Sequence, residues 1–146
     1  MLIRVLAAAL AGAIVFFGLG FVIYGLLVDP ILKGHMNQFP GLMKEPMPDM
    51  LPLFGWNFVM ALLFAIVFDK WAGIRTFVGG LKGGFILMLL IAIMTDLNFV
   101  AFMNVWKDYI GVVIDVICAT VLGTVAGGFI GLVLGLINKT PSTAAE

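Results

Sequence analysis

Four apolar runs, at residues 5–28, 51–68, 79–103 and 109–137, leave this chain little alternative to a membrane. Each reaches or nearly reaches the ~20 residues that a helix rising about 1.5 Å per residue needs to cross a hydrocarbon core about 30 Å thick. The runs show none of the two-residue alternation of barrel strands, so helices must satisfy their backbone groups in lipid. The expected fold is an all-α membrane protein: an antiparallel bundle of four transmembrane helices forming a single domain over residues 1–137, followed by a flexible tail at 138–146. Composition agrees, with 63% hydrophobic and only 11% charged residues, far from the balance of a soluble domain. The first run stays apolar throughout and places its alanines before its bulky residues, the reverse of a cleavable signal, so it reads as a retained span.

Lysine and arginine set the direction. Four spans place both termini on one side, together with Arg4, Lys70, Arg75, Lys82 and Lys139; Lys33, Lys44 and Lys107 fall on the other. Five against three favours cytoplasmic termini. The outer loop is then 29–50, with Pro30, Pro40, Pro46 and Pro48 discouraging a continuous helix. Asp29, Glu45, Asp49 and Asp108 lie on the outer side. Tyr24, Trp56, Trp106 and Tyr109 are expected at the outer interface and Trp71 at the inner one.

Small residues recur at helical spacing. The last run carries Gly123, Gly127, Gly131 and Gly135; the third carries Gly79/Gly83 and Gly80/Gly84; the first carries Ala8/Gly12 and Ala9/Ala13. Such rows let helix backbones touch. Internal packing of the bundle is the first expectation for them, and a homo-oligomer seam the second.

Four Asp and Asn residues interrupt the runs: Asn57, Asp96, Asn98 and Asp115. Asn57 and Asp115 lie roughly 6 residues, or about 9 Å, from the outer ends of their spans, and Asp96 lies near the same level. Ionisable groups in a span are costly, so they mark a ligand or ion pocket by default. At 100° per residue Asp96 projects about 120° from Gly84 and about 160° from Gly80, so acid and glycine faces are expected to differ, leaving part of the glycine surface for a lateral neighbour. Asp96 and Asp115 are expected to meet beside Asn57 in a pocket open to the outside and to titrate jointly. In the outer loop, His35, Met36, Met43, Met47 and Met50 form a soft donor set of the kind cuprous copper takes, or simply an apolar rest on the headgroups.

The stretches FDKWAGIRTFVGGLKGG and GLMKEPMPDML and the glycine-rich last run resemble small bacterial four-span membrane proteins with no established activity. The likeness implies a bacterial inner membrane and no particular chemistry.

A single Cys and a single His exclude a disulfide framework and a His-rich metal centre, and the net charge of zero gives no pull toward nucleic acid. No catalytic constellation is visible and no cofactor is expected. The bilayer is the expected partner, with a homo-oligomer or larger membrane complex as the further option. The chain reads first as a non-catalytic scaffold or accessory protein whose outward pocket holds a lipid or small amphiphile. It reads second as a small transporter or proton pathway using the paired aspartates, and third as a copper-binding membrane protein.

Overall fold

Long apolar sequence makes long helix, with Pro30 and Pro52 confined to the first turns of helical segments, and four helices long and apolar enough to cross a membrane result: Leu2–His35, Met50–Ala72, Phe77–Phe102 and Tyr109–Ile137. The chain is an integral membrane protein built as an all-α four-helix bundle. The computed structural model describes residues 2–44 and 46–138; Glu45, Lys139 and the tail expectation lie outside them.

The first span comprises α1 (Leu2–Gly20), a π-helical segment (Phe21–Val28) and α2 (Asp29–His35). Helix therefore continues through the stretch expected to open the outer loop. Pro30 is tolerated because it sits in the first turn of α2, following a wide turn that accommodates its ring and its missing N–H. A Lys33–Asp29 ion pair of 2.7 Å, one turn apart, supports the same helix. The second span is α3 (Met50–Ile66) and a further π-helical turn (Val67–Ala72). It stops at Gly73, whose φ of 62° is left-handed and suits glycine. Helix α4 (Phe77–Phe102) starts at Thr76, whose Oγ1 accepts from the Gly79 amide at 3.1 Å. Helix α5 (Tyr109–Asn138) is the longest.

Helix α1 packs on α3 and α5, while α4 packs chiefly on α5. Between α1 and α3 the small faces Ala8, Ala9, Ala13, Ala61 and Ala65 are fully buried. Phe16 meets Phe64 edge to face at 5.6 Å, and Phe64 meets Phe68 at 5.9 Å. Gly12 seats the Ile130 side chain of α5: a Cβ there would lie 2.5 Å from Ile130 Cγ1.

The α4–α5 seam is the tightest contact. A Cβ on Gly127 would fall 2.6 Å from the Gly80 carbonyl oxygen, and one on Gly131 would fall 2.5 Å from that of Thr76; Gly80, Gly84 and Gly135 equally face backbone. The glycine rows of these two helices therefore pack inside the bundle. The expected separation of acid and glycine faces is corrected: Gly80, Gly84, Met88, Ala92 and Asp96 form one buried stripe of α4. The contact follows the i, i+4 ridge, which runs obliquely around the helix, and angles counted about a straight axis miss that drift. The glycine surface is thus taken by the partner helix.

Candidate functional site

The same ridges build the site. On α5 the residues Gly111, Asp115, Ala119, Gly123, Gly127, Gly131 and Gly135 are spaced by four, and so are Thr76, which caps α4, and Gly80, Gly84, Met88, Ala92 and Asp96 along it. Gly131 meets Gly80, Gly127 meets Gly84 and Gly123 meets Met88. Every step of four along one helix is matched by a step of four back along the other. Continued outward, this antiparallel register sets Asp115 against Asp96, and their carboxyl groups are neighbours close enough for a side-chain hydrogen bond when one carries a proton. Asp96 is 1% exposed; Asp115 is half-buried.

Two aromatic residues complete the surroundings. Tyr24, in the first π-helical segment, donates its hydroxyl to the Asp115 carbonyl at 3.4 Å and lies beside the Asp115 carboxyl. The Trp106 indole stands next to Asp96, its buried Nε1 donor beside the buried Asp96 Oδ2 acceptor and outside strict hydrogen-bond geometry. Buried polar atoms are nearly always satisfied, and here the indole N–H and the carboxylate oxygen are each other's available partner.

The roof is a strap between the end of α2 and the α4–α5 turn. The Asn37 amide donates to Val105 O at 2.7 Å, the Lys107 amide donates to His35 O at 2.8 Å, and Asn37 Nδ2 donates to Asn104 O at 2.9 Å. His35 Nδ1 lies 2.8 Å from Asp108 Oδ2. Asp108 also caps α5, accepting from the Gly111 amide at 3.0 Å. The His35 hydrogen bond first, then the Gly111 amide, holds the Asp108 carboxyl below its ordinary range. Gly111 is required where Trp106 lies against α5, because a Cβ there would meet the indole at 2.7 Å and His35 Cβ at 2.8 Å. Beside the strap, Val100, Trp106, Tyr109 and Val112 help line a depression of about 190 Å³. Val100 and Val112 stand one helical turn outward of Asp96 and Asp115 respectively, so the depression sits over the acid pair.

Of the four polar residues singled out in the spans, the structure thus brings together Asp96 and Asp115. Asn57 is buried but donates Nδ2 to Leu53 O of its own helix at 2.8 Å. Asn98 is exposed on the opposite side of α4 from Asp96. In the outer loop His35 is engaged with Asp108 through Nδ1, Met36 bridges Trp106, and Met43, Met47 and Met50 are exposed.

A second polar cluster lies at the inner end. The Asp69 side chain, 1% exposed, has Oδ1 at 2.7 Å from both Arg4 Nη2 and Arg75 Nη2. Oδ2 accepts from Arg4 at 3.0 Å, whereas Oδ1 sits at ion-pair distance without hydrogen-bond angles. Arg75 also donates to the Ile74 and Asp69 carbonyls at 3.1 and 3.2 Å. The triad ties the start of the first span to the end of the second and the turn before α4.

Searches of family models, curated proteins and solved structures give no match to this chain.

Proposed function

We propose that this chain is a non-catalytic accessory protein of a bacterial inner membrane, with cytoplasmic termini, that holds a lipid or small amphiphile at the outer end of the α4–α5 seam. The observation that carries the reading is the depression lined by Val100, Trp106, Tyr109 and Val112, one helical turn outward of the buried Asp96 and the half-buried Asp115. Between this site and the inner surface, the same seam is closed by glycine backbone against glycine backbone. A transport route along the seam would need those backbones to part, which favours holding over conduction. The glycine rows also give no reason to invoke a second copy, since each is covered within the protomer.

Val112→Trp fills the depression while leaving both acids in place. Native mass spectrometry of the purified wild type is expected to show about one retained lipid per chain, and the variant is expected to lose it. Equal retention in both would contradict the reading.

Orientation rests on the Lys/Arg bias. In a Cys118→Ala background, Gln38→Cys is expected to react with a membrane-impermeant maleimide on intact cells. Protection there, together with labelling of Ser142→Cys, would invert the map.

A further inference from the structure

We infer that two copies of this chain pair in the membrane through the outer half of α4, along a face that the glycine seam leaves uncovered. Helix α4 packs chiefly on α5. Only 17% of its apolar stretch is buried, against 28% in each of the first two spans and 44% in the last. On the open side Met94, Thr95, Ala101 and Phe102 project within about 60° of Asn98 at 100° per residue, and all five residues are exposed.

Asn98 sets this face apart from one that meets only lipid. It stands about 6 Å below the outer end of α4 at Phe102, and the apolar residues 99–103 follow it. Its side chain is too short to snorkel past them as a lysine would. Buried Asn57 donates to Leu53 O of its own helix, whereas among the described residues the Asn98 side chain has no hydrogen bond. A carboxamide in hydrocarbon needs partners for its donors and its acceptor, and a neighbouring helix supplies them.

A second copy brings the right partner by construction. It inserts in the same direction, so its own Asn98 arrives at the same depth, and a carboxamide both donates and accepts. A two-fold axis along the membrane normal beside α4 sets the two amides against each other, each donating to the other's oxygen. Exposed Ala101 lets the backbones come close. Val100, which lines the depression, projects about 160° away from Asn98, so pairing leaves that side of α4 open.

The test uses the full chain carrying Cys118→Ala and Ser142→Cys, labelled with donor or acceptor dye and diluted in lipid vesicles. This parent is expected to show energy transfer that rises linearly with the acceptor fraction, as a dimer requires. Asn98→Leu is expected to weaken association about tenfold, the scale of hydrogen bonds between helices in lipid, with thermal unfolding unchanged. Ala101→Leu keeps the carboxamide but blocks close approach; it should weaken association as well, and serves alone should the first variant fold poorly. Asn98→Cys removes the same carboxamides, so it should associate as weakly as Asn98→Leu and form no bridge between copies. Transfer no greater than chance proximity in the parent, or equal association of the parent and both Leu variants, would overturn the inference. A curved dependence on acceptor fraction would overturn two-fold pairing in favour of a larger ring.

Discussion

Gly127→Leu is expected to cost roughly 3 kcal/mol or more of stability, the upper part of the range for overpacking. The reason is the identity of the neighbour. Even the first added carbon would meet the Gly80 carbonyl oxygen at 2.6 Å and Gly84 Cα at 2.7 Å. Backbone cannot rotate aside as a flexible side chain can, so α4 must move away from α5. Because the acid pair lies on the same two ridges, the retained lipid should be lost as well. Gly18→Leu is the control: nothing lies within 4 Å of a Cβ there, and thermal unfolding in detergent should be nearly unchanged. Similar midpoints for wild type and Gly127→Leu would mean that the glycine contact contributes little.

Asp69→Leu is expected to lower stability by about 3 kcal/mol, near the lower end of what breaking a buried pair costs. The carboxylate is buried, and removing it leaves two guanidiniums facing each other at the inner end. Arg4 and Arg75 retain 22% and 28% side-chain exposure, so water screens part of their repulsion. The effect should reach beyond one contact, since the triad joins three spans. Chemical unfolding in mixed micelles measures it, and a loss below about 0.5 kcal/mol would place Asp69 with ordinary surface pairs.

The spans were legible because length and apolarity suffice for a helix in lipid. Their ends were less so. Pro30 and Asp29 look like a loop, and nothing in the local pattern announces the wide π-helical turn that carries helix on to His35. Asp96 and Asp115 were legible as costly groups at equal depth, but their partners were not. Tyr24 and Trp106 carry the ordinary signature of interface aromatics, and only the strap, a pairing of segments about 70 residues apart, brings the indole over the pair. The rows from Gly111 to Gly135 and from Thr76 to Asp96 did contain the register. Reading them as ridges stepping by four, with each acid as one more member, would have placed the carboxyls face to face. The Arg4–Asp69–Arg75 triad was hidden for a different reason: inner charges were weighed for orientation, where acids count little, and long-range pairing leaves no local signal.

The central claim is that Asp96 and Asp115 face each other across the α4–α5 seam, and disulfide trapping measures this directly. In a Cys118→Ala background, Asp96→Cys with Asp115→Cys should form an intramolecular bridge under mild oxidation in native membranes, since helices this close bring facing residues within disulfide range. Asn98→Cys with Asp115→Cys should remain reduced, because Asn98 faces away from α5. Linkage of the 96–115 pair alone is the predicted result; no linkage at that pair, or equal linkage from position 98, would contradict it.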